Sequence, residues 1–423
     1  MNVATFDILR CPFCGGRLDL VTSDFNEVAG DEIHSGILGC ACCTFPVVEG
    51  IPVLHLQPQA TSARDDVQAG RPDLARRTMV GLDDAAEAAR FDEAASSETA
   101  TYRDVVEALG PGFEGGYFLY RFSDPTYIVA RAVLRAVAGT VLQGGGRAID
   151  VCGGSGHLTR SLLDLSSAPP VLADLYFAKA WLARRFTAPG CEAVCCDGNA
   201  PLPFARAAFR FAMCSDAFMY IWTKRQFVGE MIRLVHDASD AGDAGGKTGA
   251  VVIGHTHNER TWSPSHGQPL SPEGYRDLFE TLPPRIFGEA GLFADVVRGG
   301  PLDLARRDAD ATLDADPALT IVASRHPGVF AAHPLDPVPT TPQGEYRLSP
   351  LYTAEPEGER VRLRLTFPSE DYEAEYGACR RYLPAETSID RTSWSALQAG
   401  RLPPELAELA RRRVILDLPK RYY

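Results

Sequence analysis

"AIDVCGGSGHLTRSL", residues 148–162, runs from an apolar stretch through an acid into a cluster of three glycines and then into helix-forming residues. Strand, tight loop and helix in that order are how a nucleotide-binding unit of an α/β domain begins. Two further apolar runs follow, and each also ends in an acid: "PVLAD" at Asp174 and "CEAVCCDGN" at Asp197-Gly198-Asn199. In a parallel sheet the three acids sit at the carboxyl ends of successive strands, where open α/β sheets bind ligands. The loop lacks the GxGxxG spacing of a dinucleotide site, and Asp150 just before the glycines repels a pyrophosphate. An acid there suits a ligand that carries positive charge.

The chain around this stretch is of ordinary globular composition: 423 residues, 45% hydrophobic and 23% charged. That length accommodates about two or three domains. No apolar run reaches the ~20 residues of a membrane span, and the N-terminus lacks a basic start followed by an apolar core. Eleven cysteines, several solitary and in apolar runs, read as reduced thiols of a cytoplasmic protein rather than a disulfide framework. The net charge of −13 argues against a polyanionic partner.

Short apolar runs alternate with helical stretches over residues 116–330, the pattern of an α/β domain. Before it, residues 58–115 form an Ala-, Asp- and Glu-rich helical linker or cap. The stretch "DASDAGDAGGKTG" at 237–249 reads as a polar surface loop, and the proline-rich "HPLDPVPTTPQ" at 333–343 leads into residues 331–423. In that α+β extension "RVRLRLTF" alternates as a strand and "PPELAELARRR" reads as a helix with proline at its start. The extension is expected to cover substrate or to form a homodimer surface.

Residues 116–330 resemble the class I S-adenosylmethionine-dependent methyltransferases, a Rossmann-like fold. The resemblance rests on 148–162, on "VLADLYFAKAWLARRF" (171–186) and on "CCDGNAPLPFARAAFRFAMCSDAFMYI" (195–221). It implies that Asp150, Gly153, Gly154 and Gly156 surround the methionine portion of the cofactor. It likewise assigns Asp174 to the ribose hydroxyls, Asp197, Gly198 and Asn199 to the adenine, and Ser215 and Asp216 to the neighbourhood of the methyl donor. Arg210 stands where the family commonly has an acid, and Cys152 where it commonly has a first loop glycine. The second departure requires residue 152 to avoid a positive φ.

Two CxxC pairs, Cys11/Cys14 and Cys40/Cys43, flank an apparent hairpin within residues 1–57. Four thiolates in two tight turns are the ligand set of a structural Zn²⁺, with Cys42 a spare or an alternative to Cys43. "ILRCPFCGGRLDL" and "LGCACCTFPVVEGIPVL" resemble the Trm112-like zinc ribbon, whose free-standing members activate methyltransferases by packing against them.

"AVVIGHTHNERTW", from Ala250, places His255 and His257 at the end of what should be the fifth strand. An imidazole there could take a proton from a hydroxyl or amine, and loop histidines that only hydrogen-bond are the alternative. In "GGYFLYRFSDPTY", from Gly115, Tyr117, Phe118, Tyr120 and Phe122 with Arg121 form a lid over the cofactor or else pack as core aromatics beside a surface arginine. Tyr120 joins the two histidines as a catalytic candidate. The ribbon carries two bases against seven acids, which favours methylation of an O or N atom of a small-molecule acceptor, such as a specialised metabolite or envelope precursor. The alternatives are an rRNA or tRNA base methyltransferase, and a non-catalytic activator or scaffold.

Overall fold

The computed structural model describes residues 1–82, 84–110, 115–235, 249–263, 267–335 and 342–423. Its centre is a seven-stranded sheet. In chain order the strands are β1 (Ala148–Val151), β2 (Val171–Asp174), β3 (Glu192–Cys195), β4 (Phe211–Ser215), β5 (Ala250–His257), β6 (Pro284–Gly288) and β7 (Ala318–Ser324). Their spatial order is β6-β7-β5-β4-β1-β2-β3. Strands β5, β4, β1, β2 and β3 pair in parallel, while β7 runs against both β5 and β6. The strand order therefore reverses between β1 and β4, which opens a crevice at the carboxyl ends of those two strands.

Alternation along the strands explains why the sheet is covered on both faces. Ala148, Leu172, Phe211, Met213 and Val252 enter one apolar cluster, and their neighbours Ile149, Val171, Ala212, Cys214 and Val251 enter the other. The first cluster is closed by helix α1 (Pro125–Val141) and by the C-terminal segment. Asp124 caps α1 by accepting the Tyr127 amide, Pro125 starts it, and ten of its residues are buried. The second cluster is closed by helix α2 (Lys224–Val235) and by side chains of the N-terminal segment, among them Leu9, Leu38 and Phe45. The polar stretch at 237–248 lies outside the described residues, as do 336–341 of the proline-rich passage.

The expected helix after the glycine loop is instead a short 3₁₀ turn, Thr159–Leu162. Side chains there are drawn elsewhere: the Thr159 hydroxyl donates to Asp150 at 2.7 Å, and Arg160 pairs with Asp417 at 2.9 Å. Pro169 and Pro170 follow within ten residues.

The N-terminal segment is a small antiparallel sheet built on Glu32–Gly39 and Thr44–Val48. It docks on the outer edge of β3: Val53 bridges Cys195, and the Leu54 amide donates to the Cys195 carbonyl at 2.7 Å. Nearby, Arg10 N donates to Pro203 O and Ala205 N to Ile8 O. Glu49 fastens the junction by accepting from Arg76 Nη1 and from Trp181 Nε1, each at 2.5 Å. At the far end of the chain, Tyr352–Glu357, Arg360–Leu365 and Glu386–Asp390 make a three-stranded antiparallel sheet, and Glu345–Leu348 pairs with Ile415–Leu418.

Glu49→Ala should cost about 1.5–3 kcal/mol, the worth of charge-assisted hydrogen bonds. Urea denaturation followed by tryptophan fluorescence checks this, because Trp181 sits at the junction; an unchanged midpoint would mean that the apolar contacts alone hold it.

Candidate functional site

Asp150 is the last residue but one of β1, Asp174 ends β2 and Asp197 follows β3 by two residues, so one rim of the crevice carries three carboxylates. Asp174 is held by two backbone amides, Gly154 to Oδ2 at 2.9 Å and Tyr176 to Oδ1 at 2.8 Å. Asp150 is buried, which pushes its carboxyl up to about 7 despite the Thr159 hydrogen bond. Asp197 accepts the Asn199 amide, and the Asn199 side chain is itself used to tie down Trp222 N at 2.7 Å. Asn199 thus braces one loop against another. Gly198 is constrained too, since a Cβ there would lie 3.0 Å from Ile221 and 3.4 Å from the Cys152 sulfur.

The glycine loop does not behave as an anion cradle. The Cys152 and Gly153 amides both donate to Ala173 O, Gly154 N to Asp174 and Gly156 N to Gly153 O. A pyrophosphate needs such amides turned outward. Gly154 and Gly156 adopt φ of 55° and 80°, and a Cβ on Gly156 would approach Ala183 to 2.7 Å.

Cys152 corrects the expectation that residue 152 avoids a positive φ, for its φ is 59°. Asp216 and His255 are left-handed as well, at 57° and 46°. These residues follow or lie within β1, β4 and β5, three neighbouring strands, and the β5–β7 register shifts at His255. Non-glycine residues in this region cost roughly 1–3 kcal/mol each and concentrate at functional crevices. Ser215, at the end of β4, has a buried hydroxyl without a hydrogen-bond partner among the described residues.

Above these strand ends lies the 117–124 segment. Arg121, read in one alternative as a surface charge, is buried and pairs with Asp124 at 3.1 Å and Asp216 at 3.0 Å. Tyr117 donates to Asp216 at 3.2 Å and accepts from Arg121. Phe118 lies over Gly154, 3.5 Å from where a Cβ would stand. Tyr120, the tyrosine named as a catalytic candidate, packs edge-on against Tyr372 of the C-terminal segment instead. The short helix Gly115–Phe118 ends between the two tyrosines, and Tyr117 is the one that hydrogen-bonds Asp216.

His255 and His257 do come together, their rings 5.5 Å apart. His255 Nδ1 is 2.7 Å from Glu289, a buried acid that also accepts from Thr320 and from the His255 amide. Although burial lowers the pKa of His255, Glu289 and Asp216 outweigh it and raise the value to about 9. The Glu289 pairing favours the charged form of His255 at neutral pH, which suits it to an orienting role more than to that of a base. His257, with Nδ1 2.8 Å from Ser263 Oγ, is lowered by burial and by the neighbouring His255 charge. Glu289 escaped the sequence reading, although an acid inside "RIFGEAGLF" is the kind of interruption that marks a buried partner.

The thiols of Cys11, Cys14, Cys40 and Cys42 all lie within 4.8 Å of one another. The fourth member is Cys42 and not the expected Cys43. The Cys43 carbonyl accepts the Cys40 amide at 3.0 Å and closes the hairpin, which leaves its thiol beside Cys42 but outside the mutual group. Sulfur separations are 3.6 Å (Cys11–Cys42), 3.7 Å (Cys14–Cys40) and 3.5 Å (Cys40–Cys42). Four thiolates around a tetrahedral Zn²⁺ stand about 3.8 Å apart, so the arrangement fits that ion.

No family model matches this chain, and no curated protein matches it. Among solved structures, the chain is similar to one in the complex of the Haloferax volcanii Trm112 methyltransferase activator, with 17% identity over 49% of this chain and 90% of that one and a TM-score of 0.34. A geranyl diphosphate C-methyltransferase from Streptomyces coelicolor A3(2) shows 14% identity over 45% and 73%, with a TM-score of 0.32. The [4+2]-cyclase SpnF shows 16% over 47% and 80%, with a TM-score of 0.31.

Glu289→Gln should bring the His255 pKa down and, by unpairing a buried cation, cost about 3–5 kcal/mol at pH 7. Because His255 is raised in the folded state, its contribution is complete below its ordinary 6.5 and fades as pH rises through about 9. Glu289 is lowered, so its contribution is present above its ordinary 4.5 and fades on acidification. Denaturation at pH 7 and pH 10 should show the gap between wild type and variant narrowing at the higher pH. For the thiols, zinc uptake by purified protein, read by elemental analysis, should be lost in Cys42→Ser and kept in Cys43→Ser.

Proposed function

We propose that this chain is an S-adenosylmethionine-dependent methyltransferase acting on an O or N atom of a small-molecule acceptor, with residues 1–57 a Trm112-like zinc ribbon. The observation that carries the reading is the chemistry of the β1–β3 rim. It presents three carboxylates and a loop in which the amides of Cys152, Gly153, Gly154 and Gly156 already donate within the protein, so it suits a cation and repels a phosphate. S-Adenosylmethionine supplies an electrophilic methyl group on a cationic sulfur and also carries an ammonium group. Asp150, Gly153, Gly154 and Gly156 are assigned to its methionine end, Asp174 to the ribose, and Asp197 and Gly198 to the adenine, with Asn199 a brace for that loop. Ser215, with its unpartnered buried hydroxyl, and Asp216 stand near the reacting centre.

The residues around that centre orient and exclude water. Phe118 covers the glycine loop, and the Arg121–Asp216–Tyr117 group closes the side between β4 and the C-terminal segment. Where the acceptor must lose a proton, His257 is neutral at pH 7 and is the group suited to hold it, while the His255 cation orients Asp216 from 4.0 Å. Positioning alone supplies a large part of such a transfer, roughly 7–11 kcal/mol. Among the described residues no helix is long and apolar enough to cross a membrane.

Calorimetric titration with S-adenosylmethionine tests the reading. Asp174→Ala should weaken binding by tenfold or more, the loss of charge-assisted hydrogen bonds worth about 1.5–3 kcal/mol each. Binding of a cation favours ionised Asp150, whose carboxyl titrates near 7, so affinity should rise between pH 5.5 and 7.5 with proton release. Asp150→Asn should abolish that pH dependence. Affinity independent of both acids would reject the assignment.

A further inference from the structure

On the α1 face of the sheet lies a groove of about 730 Å³. Its walls are α1, helix α3 (Glu289–Arg298) and residues 381–382 and 408–413 of the C-terminal segment. None of the acids of the crevice lines it. Its floor is apolar, with Ile128, Ala132 and Ala136 on one side and Val296, Val297 and Leu335 on the other. Around that floor stand seven arginines and a single carboxylate, Glu408, in a chain whose net charge is −13.

Some of those cations are compensated. Arg135 pairs with Asp164, Arg298 with Asp295 and Arg411 with Glu408. Among the described residues no ion pair reaches Arg381, Arg412 or Arg413. Arg381 lies over the Phe293 ring at 4.5 Å, Arg412 Nε donates to Tyr382 O, and Arg413 Nη2 donates to Phe122 O while its Nε has no partner. Gathering like charges is unfavourable unless an anion completes the group, and guanidinium groups match phosphate and carboxylate oxygens in pairs. A concave apolar floor of this volume takes a small molecule rather than the flat face of a protein.

We propose that this groove binds a single-chain amphiphilic anion, its tail on the α1–α3 floor and its phosphate or carboxylate head at Arg381, Arg412 and Arg413. The site shares no lining residue with the carboxylates of the crevice, and the proposal stands whether or not the chain is a methyltransferase. Titration of the full chain with octyl phosphate and with octanoate, each below its critical micelle concentration, identifies the head group. Saturable binding is expected, at least tenfold tighter than inorganic phosphate and than uncharged octyl glucoside. The Arg381→Ala/Arg412→Ala variant should lose about tenfold or more. Both side chains are exposed, and Arg381→Gln alone, which leaves the Arg412 contact intact, should lose severalfold with an unchanged melting temperature. Equal binding by wild type and variants, or by inorganic phosphate and octyl phosphate, would overturn the proposal. Tighter binding of an RNA oligonucleotide, falling steeply with salt, would replace it with a nucleic-acid site.

Discussion

A buried guanidinium sets the geometry of the crevice. Arg121 is 6% exposed, and a charge taken that far from water persists only when it is paired and hydrogen-bonded. Asp124 and Asp216 supply the pairing, the first on the cap of α1 and the second at the end of β4. One ion therefore joins the helix that covers a face of the sheet to the strand that forms one side of the switch point. Tyr117 fits between them, and the backbone strain at Asp216 is held by the same contacts. Removing either acid would leave the other to neutralise a charge with almost no access to solvent.

The N-terminal sheet solves a second problem of the same architecture. A parallel sheet ends in edge strands whose unpaired amides and carbonyls invite association with other chains. Here β3 is such an edge, and the bridge from Val53 to Cys195 covers it. Leu9, Leu38 and Phe45 then complete the apolar layer on one face. A segment too small for a large core of its own thus gains one by sharing, and a metal held at Cys11, Cys14, Cys40 and Cys42 would lock the hairpins that present it.

The legible parts of this chain are those written in short periods. Apolar runs that end in acids place β1, β2 and β3 and, with them, Asp150, Asp174 and Asp197. What stayed hidden depends on contacts between distant residues. The pairing of Arg121 with Asp216 spans 95 positions, and nothing local marks that arginine as buried. Spacing alone admits Cys42 or Cys43 as the fourth thiol, because the choice turns on which carbonyl closes the hairpin. Tyr117 and Tyr120 are equally aromatic, and only the packing of Tyr372 on the second assigns them different roles. The charge state of His255 follows from Glu289, 34 residues later on another element.

The cover of the glycine loop is completed from far along the chain. The Tyr422 hydroxyl donates to the Phe118 carbonyl and meets His157 Nε2 at 2.7 Å, while its ring stacks on Tyr102 at 4.7 Å. Phe118 and Tyr422 are 304 residues apart. At ribosomal rates of roughly 5–20 residues per second, the first is made some 15–60 seconds before the second. The last strand of the central sheet, β7, ends at Ser324 and so precedes Tyr422 by 98 residues. The cover over the glycine loop therefore draws on a residue made after every strand of the central sheet.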